Sequence, residues 1–336
     1  MTAPTTRTRP TWTDLPAPVR GAIEARLGAA VTRWTSHDGG YSQGLASTLR
    51  TARGAVFVKA VGPEHPFTVG LYREEGRRAR LLPDSVPTPR FLWSLDVAGG
   101  ADGGPGDGAH GDAAGWVALG FETQPSRAPR LPWVDDELRA VLDLAADVAE
   151  HEVAPGLLPD YETELPTGRA ERLAAERPHG LATYDPWLAE HLDRLATVEQ
   201  GARAAVVGNS LVHGDLRGDN TLLVAAPGTR EADAPGTRAL AVDWPYAARG
   251  AAFCDVVGML PAVRVEGGPT PEETLALRPL PVSTDDDAVT AYLVALTGYF
   301  VHSSLQAPVP GIPHLRAFQR AQGEVCVAWL RRRLGG

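Results

Sequence analysis

The sequence predicts an α+β fold with two lobes, a small antiparallel β-sheet in the first and mainly helices in the second. Three observations support this. A chain of 336 residues is longer than one compact core usually holds. Short runs rich in β-branched and aromatic residues concentrate between residues 30 and 121, whereas helical spacing of apolar residues dominates after residue 135. We therefore expect lobes of residues 1–122 and 123–336.

The first lobe is expected to open with a helix over residues 15–27, because Val19, Ile23 and Leu27 share one face and Gly28 ends it. Strands are predicted at residues 30–35, 45–51, 55–61, 90–96 and 116–121, with a helix at 69–82. Residues 97–115 carry almost no large apolar side chains and are predicted to form a mobile loop. Residues 124–132 read as a proline-rich linker.

The second lobe is expected to be built on helices, because leucine and valine recur there at helical spacing. The predicted helices cover residues 135–153, 185–200, 253–263, 285–305 and 315–334. Between the second and third helices, two apolar segments predict a hairpin whose strands are separated by a polar loop at residues 227–236.

Composition excludes several functional classes. A net charge of −9 disfavours a nucleic-acid or anionic-membrane surface, since both kinds of binding need basic patches. Two cysteines provide neither a disulfide framework nor a metal-ligand spacing. We find no signal-like apolar segment near the start and no run of about 18 apolar residues. We expect a cytoplasmic protein with no nucleic-acid or membrane partner, and the composition favours no particular oligomeric state.

Lysine usage singles out one position. Of 32 basic residues, Lys59 is the single lysine, and it lies within the apolar run AVFVKAV. Arginine has replaced lysine wherever a positive charge suffices, so a retained lysine indicates a site that needs a compact ammonium group. The alternative is that Lys59 is the single lysine by chance.

The stretch LVHGDLRGDNTLLV, residues 211–224, carries the chemistry. Asp215 and Asn220 are separated by five positions, the spacing of the kinase catalytic loop. A second apolar segment, ALAVDW, delivers Asp243 at its end. In kinases the aspartate accepts the substrate hydroxyl proton, while the asparagine and a later carboxylate bind magnesium. This pattern predicts a phosphotransferase.

A glycine-containing hairpin precedes Lys59, and its loop includes Gly40 and Ser42. Kinases cover nucleotide phosphates with such a hairpin, although this loop lacks G-x-G-x-x-G and an ordinary surface hairpin is the alternative. On the following helix, Glu75 is favoured over Glu74 as the partner of Lys59, because Glu75 shares the apolar face.

HGDLRGDN followed by AVDW resembles the aminoglycoside phosphotransferase (APH)-like small-molecule kinase family, whose pattern is H-G-D-x-x-x-x-N and then a strand aspartate. The resemblance covers residues 39–255 and implies a protein-kinase-like fold. It implies that Asp215 orients the acceptor and takes its proton, that Asn220 and Asp243 hold Mg²⁺, and that Lys59, steered by Glu75, neutralises the α/β-phosphates.

The resemblance also implies a hinge at residues 119–122, with Leu119 and Phe121 near the adenine. His213 is expected to hold the loop instead of acting as a base, and Asp255 to tie the loop down. Arg217 stands where the family often has histidine. It either contacts the transferring phosphoryl group as a catalytic residue or forms a salt bridge to Asp219.

Together these features predict an ATP-dependent kinase of a small hydroxyl compound, with GTP as the alternative nucleotide and Mg²⁺ as cofactor. The C-terminal helix is rich in arginine, so a neutral antibiotic, such as a nucleoside or a sugar-containing natural product, is favoured over an aminoglycoside. A primary-metabolite alcohol as acceptor and a non-catalytic nucleotide-binding pseudokinase are the alternatives. The acceptor is expected to meet residues 155–178 and 253–334.

Overall fold

The structure is a computed structural model and describes residues 9–37, 43–98, 115–225, 237–309 and 314–335. The chain forms two compact units: unit 1 comprises residues 1–84 and 88–125, and unit 2 comprises residues 85–87 and 126–336. A five-stranded antiparallel sheet and a mainly helical region confirm the predicted α+β, protein-kinase-like fold class.

Unit 1 is organised around its sheet, in which the strands follow the order β1-β2-β3-β5-β4 and every neighbouring pair is antiparallel. The strands are β1 Arg33–Ser36, β2 Leu45–Thr51, β3 Gly54–Val61, β4 Phe91–Ala98 and β5 Gly115–Glu122. The helices of this unit are α1 Ala17–Leu27 and α2 Pro66–Ala79.

Two clusters of buried side chains hold unit 1 together. In the first, Ile23 of α1 packs with Leu49 and Val58 of the sheet. In the second, Tyr72 of α2 packs with Leu119 of β5. Burial of these apolar surfaces is the main force that fixes α1 and α2 on the sheet.

Unit 2 is mainly helical. Its helices are α3 Asp135–Ala149, α4 Tyr161–Glu164, α5 Arg169–Glu176, α6 Pro186–Glu199, α7 Ala202–Ala205, α8 Cys254–Val265, α9 Pro271–Leu277, α10 Asp286–Ser304 and α11 Leu315–Arg333. Its short strands are β6 Ser126–Arg127, β7 Ser210–Val212, β8 Thr221–Val224, β9 Arg238–Ala241 and β10 Ala248–Gly250. They form a three-stranded sheet in the order β6-β8-β9 and a separate β10-β7 pair.

Most predicted elements form within a few residues of their expected bounds, and β2 begins and ends as predicted. The helices α4, α5, α7 and α9 and the pairing of β7 with β10 were not predicted. The strand β6 lies within the predicted linker and pairs with β8. The predicted loops at 97–115 and 227–236 lie largely outside the described residues.

Residues 85–87 belong to unit 2 although they lie between two segments of unit 1 in the sequence. The backbone N–H of Ala241 donates to the carbonyl oxygen of Pro87 at 2.9 Å. A second hydrogen bond joins His151 Nε2 to the Ser85 hydroxyl at 3.0 Å. Within the described ranges, each helix is too short or too polar to cross a membrane.

Candidate active site

The lysine singled out by composition forms a buried ion pair in unit 1. Lys59 Nζ on β3 lies 2.8 and 2.9 Å from the two carboxylate oxygens of Glu75 on α2. The side chains are 8% and 3% exposed. Glu74 instead faces Arg77 and Arg78 on the same helix. The pair predicted with Glu75 therefore forms, since Glu75 is on the face of α2 that packs on the sheet.

Aromatic and apolar side chains surround this pair. Lys59 lies opposite Leu119 in the β3–β5 register. The ring centroids of Tyr72 and Phe121 are 5.6 and 5.9 Å from Lys59 Nζ. The side chain of Leu119 is fully buried. Unit 1 thus brings Lys59, Glu75, Leu119 and Phe121 together, whereas Gly40 and Ser42 lie outside the described residues.

In unit 2 the predicted catalytic loop joins β7 to β8 and ends in a 3₁₀ turn, Gly218–Asn220. The Asn220 amide nitrogen donates to the backbone carbonyl of Asp215 at 2.7 Å and to its carboxylate at 3.0 Å. The spacing of five residues therefore brings the two side chains into contact. Both contacts use the amide nitrogen of Asn220, so neither uses its amide oxygen.

Asp255, near the start of α8, anchors the loop from beneath. Its two carboxylate oxygens accept the backbone N–H groups of His213 at 2.7 Å and Gly214 at 2.9 Å. Gly214 has φ +81°, a left-handed conformation that glycine adopts without strain. Burial raises the pKa of Asp255 to about 6, although the two backbone hydrogen bonds oppose that shift.

His213 is fully buried and holds the loop instead of facing solvent. Its Nε2 lies 2.9 Å from the Val242 carbonyl, and its Nδ1 accepts the Asp215 backbone N–H at 3.3 Å. Donation from Nε2 and acceptance at Nδ1 require a neutral ring. The His213 ring also packs on Trp244, with a centroid distance of 4.4 Å.

Asp243 lies two residues beyond β9 with φ +67°, a left-handed conformation that is uncommon for any residue but glycine. The preceding residue is fixed beside the loop, because Val242 N–H donates to the Asn220 carbonyl at 2.9 Å. Backbone strain of this kind is concentrated at functional sites.

Burial raises the pKa of the Asp215 carboxyl to about 6. Arg217 and the Asn220 hydrogen bond lower it, while the negative charges of Asp219 and Asp243 raise it further. Asp215 and Asp243 are therefore close enough to repel each other. The Asp215 side chain nevertheless keeps 38% of its surface exposed, so a ligand can reach it.

Arg217 lies among these carboxylates. Its Nε is 2.7 Å from Asp219, and a terminal nitrogen is 3.5 Å from Asp215. The predicted salt bridge to Asp219 therefore forms, while contact with a phosphoryl group stays a prediction. The Arg217 guanidinium also lies 5.4 Å from the Phe318 ring centroid.

Three residues near the loop were not predicted from the sequence. The Trp133 indole N–H donates to Glu266 at 3.0 Å. Burial raises the pKa of Glu266 to about 7, and the charge of Asp219 raises it further. Tyr246 packs against Gly214, since a Cβ added at Gly214 would lie 2.9 Å from the Tyr246 Cβ. None of the three belongs to a motif, and the position of Tyr246 two residues after AVDW was the one available signal.

The donor set of the loop fits magnesium better than a softer metal. Among the described residues, no group of three or more His, Cys, Asp or Glu side chains is arranged to hold a metal ion. Asn220 and Asp243 instead offer an amide oxygen and a carboxylate. Such hard oxygen ligands, used one or two at a time and completed by phosphate oxygens and water, are those that Mg²⁺ takes in nucleotide sites.

No protein-family model and no curated protein sequence matches this chain. Solved structures do match it. A thermostable mutant of the aminoglycoside phosphotransferase APH(4)-Ia, in its apo form, is 15% identical with a TM-score of 0.55, over 94% of this chain and 100% of its own. The choline kinase LicA from Streptococcus pneumoniae is 14% identical with a TM-score of 0.54, over 92% and 99%.

The chain has the fold of the aminoglycoside phosphotransferases. A third structure of this fold is the spectinomycin phosphotransferase APH(9)-Ia in complex with ADP and spectinomycin. It is 10% identical with a TM-score of 0.52, over 94% of this chain and 98% of its own. The aminoglycoside phosphotransferase-like fold thus covers both units, as the loop motif predicted.

Proposed function

We propose that this protein is a Mg²⁺-dependent phosphotransferase that moves the γ-phosphoryl group of ATP to a hydroxyl group of a small molecule. One observation carries the proposal. Asn220 fixes the Asp215 carboxylate through a 3.0 Å hydrogen bond while Asp255 holds the loop beneath it. A carboxylate fixed in this way and open to a ligand can orient an acceptor hydroxyl. The likeness of fold to ADP-binding phosphotransferases supports this choice.

In the proposed reaction, the oxygen of the acceptor hydroxyl attacks the γ-phosphorus while the bond from that phosphorus to ADP breaks. Asp215 accepts the proton of the hydroxyl. A pKa of about 6 makes Asp215 a stronger proton acceptor than an ordinary aspartate while leaving it mainly ionised at pH 7. Asn220 and Asp243 would hold Mg²⁺, which neutralises phosphate charge. Arg217 would add positive charge near the equatorial oxygens of the transferring group.

Unit 1 is proposed to bind the nucleotide. Lys59, oriented by Glu75, would neutralise the α/β-phosphates with a compact ammonium group. Leu119 and Phe121 would contribute apolar packing beside the adenine. Both edges of β5 are paired within the sheet, so the backbone groups that meet the base would come from the connection after Glu122. Gly40 and Ser42 are proposed to cover the phosphates.

A titration followed by a turnover assay tests this function. ATP with Mg²⁺ should bind the full chain, and a panel of hydroxyl compounds that includes nucleosides, sugar-containing antibiotics, choline and aminoglycosides should contain an acceptor that accelerates ADP release. GTP serves as the alternative donor. The product should carry one phosphate ester, detected by mass spectrometry.

Binding of nucleotide without turnover for any acceptor would instead identify a pseudokinase. No nucleotide binding with or without Mg²⁺ would refute the proposal altogether. An antibiotic is favoured over a primary metabolite as the physiological acceptor. Two of the proteins that share the fold are named as phosphotransferases of antibiotics. Phosphorylation of choline but of no antibiotic would reverse that choice.

A further inference from the structure

Two side chains outside the catalytic motif lie directly against the catalytic loop. The Trp133 indole N–H donates to a carboxylate oxygen of Glu266 at 3.0 Å. A Cβ added at Gly218 would lie 3.0 Å from the Trp133 ring and 3.1 Å from that same Glu266 oxygen. The hydrogen-bonded pair therefore packs against the first residue of the 3₁₀ turn Gly218–Asn220.

The position of this turn determines where the Asn220 side chain lies. The Asn220 backbone N–H donates to the Arg217 carbonyl at 3.0 Å, and the Thr221 hydroxyl donates to the Gly218 carbonyl at 2.9 Å. The Asn220 amide in turn donates to the Asp215 carboxylate at 3.0 Å. A displacement of Gly218 would therefore displace the amide group that orients Asp215.

Trp133 ends a segment, residues 126–133, that is itself fixed within unit 2. The strand β6 of this segment pairs with β8, which begins directly after the turn. The Glu137 carboxylate, which is 4% exposed, accepts the Arg130 backbone N–H at 2.7 Å and the Arg127 guanidinium at 2.8 Å. The segment therefore contacts the catalytic loop region at both ends of the turn.

Glu266 comes from the end of α8, the helix whose first turn carries Asp255. The Glu266 backbone N–H donates to the Ala262 carbonyl at 2.9 Å. The next residue, Gly267, has φ +83°, and a Cβ added there would lie 2.9 Å from the Pro132 Cβ. One helix thus holds the start of the loop through Asp255 and contacts its 3₁₀ turn through Glu266.

We propose that Trp133 and Glu266 are positioning residues of the proposed phosphotransferase, which together fix the turn from which Asn220 orients Asp215 and would bind Mg²⁺. Neither residue needs to contact the substrate. The role requires at position 266 an oxygen that accepts the indole N–H, and it does not require a negative charge. The inference rests on the proposed function, but the order of the turn can be measured without turnover.

Three substitutions separate the acceptor oxygen from the charge. Glu266→Gln keeps an oxygen that can accept the indole N–H, Glu266→Leu removes it, and Trp133→Phe removes the donor while keeping a ring. We expect Glu266→Leu and Trp133→Phe to raise the half-saturating Mg²⁺ concentration and lower kcat by about 10- to 100-fold, as loss of support for a metal ligand does. Glu266→Gln should keep both values. A mere loss of folded protein would lower kcat without moving the Mg²⁺ midpoint.

Hydrogen exchange measures the turn without any substrate. In the full chain, backbone amides of residues 216–224 should exchange about two- to tenfold faster in Glu266→Leu and Trp133→Phe, the range that loss of one hydrogen bond allows. Exchange in Glu266→Gln should match the natural chain. Trp187→Phe on α6 is the matched control, since Trp187 is, like Trp133, 8% exposed. Each variant is first shown to unfold with the same cooperativity as the natural chain, and Trp133→Phe decides if Glu266→Leu does not fold.

The outcomes separate the two proposals. Equal losses in Glu266→Gln and Glu266→Leu would overturn the positioning role, because the charge and not the acceptor oxygen would then matter. Unchanged exchange and an unchanged Mg²⁺ midpoint in Trp133→Phe would overturn it as well. Faster exchange in Glu266→Leu and Trp133→Phe but not in Glu266→Gln, combined with no phosphorylation of any acceptor by the natural chain, would uphold the positioning of the turn and refute the phosphotransferase function.

Discussion

In unit 1 one lysine and one carboxylate form a closed buried pair, whereas around the catalytic loop of unit 2 several carboxylates share one arginine. Lys59 and Glu75 satisfy each other at 2.8 Å. Around the catalytic loop, by contrast, the pKa values of Asp215 and Asp255 are both raised to about 6, chiefly by burial. Arg217 is shared between Asp215 and Asp219.

The difference indicates what each unit still needs. The Lys59–Glu75 pair is already balanced in charge. In nucleotide binding, Glu75 would therefore serve to hold the Lys59 ammonium group in one orientation. Carboxylates whose pKa values are raised by burial, and further by one another's charge, are stabilised by an added cation. We therefore expect the loop in unit 2, and not the pair in unit 1, to respond to Mg²⁺. Four predictions test this comparison.

The largest effect is expected at Asp215. Replacing the proposed base in Asp215→Asn should lower kcat by about 100- to 10,000-fold, the usual contribution of a positioned general base. Binding of ATP should persist, because Lys59 is untouched. The measurement is steady-state phosphoryl transfer to the best acceptor. Asp193→Asn, at a side chain that is 79% exposed, is the matched control and should keep full activity.

Breaking the pair in unit 1 should cost stability. In Lys59→Met the Glu75 carboxylate stays buried without its cation, so the free energy of unfolding should fall by about 3–5 kcal/mol in urea titrations. The double variant Lys59→Met/Glu75→Leu should recover most of that loss while remaining inactive. If Lys59→Met were as stable as the natural chain, the Lys59–Glu75 pair would not be the contact that stabilises unit 1.

Asp255 should make stability depend on pH with an unusual sign. Its pKa is about 6 in the folded chain against an ordinary value of 3.8, so the folded state binds the extra proton between these values. Stability contributed by this group should fall by about 3 kcal/mol as pH rises from 4 to above 6. The measurement is the difference in unfolding free energy between the natural chain and Asp255→Asn at each pH.

That difference removes other titrating groups from the comparison. The natural chain should lose its advantage over Asp255→Asn as pH rises. If the difference stayed constant from pH 4 to 7, the two backbone N–H groups, and not burial, would determine the pKa of the Asp255 carboxyl.

The smallest effect is expected at an exposed pair. Arg172 lies 2.7 Å from Glu176 one turn along α5, with both side chains about half exposed. Arg172→Ala should change the free energy of unfolding by less than about 0.5 kcal/mol. A loss comparable to that of Lys59→Met would remove the distinction between buried and exposed pairs on which the comparison depends.

Residues whose partners follow from local spacing were predictable. Helical geometry selected Glu75 over Glu74, and the interval of five residues brought Asn220 to Asp215. The anchoring by Asp255 followed from the family resemblance. Each of these inferences used a motif or a fixed repeat of the backbone.

Contacts between distant segments were not predictable in the same way. The pairing of β7 with β10 joins two three-residue strands too short for an alternating pattern. Trp133 and Glu266 are 133 residues apart, and no local rule joins them. Phe318 on α11 contacts Arg217 in the catalytic loop, and the two residues are distant in the sequence. Tertiary packing determines such contacts, and a single sequence does not reveal which ones form.

The assignment of residues 85–87 to unit 2 affects which recombinants of such a gene can fold. The polypeptide passes between the units at residues 84–85, 87–88 and 125–126, so neither unit is one continuous stretch of gene. A recombination event at residue 125 would bring a foreign segment to the amide of Ala241, whose acceptor is Pro87. We expect chimaeras made by a single crossover there to need residues 85–87 from the same parent as the helical half.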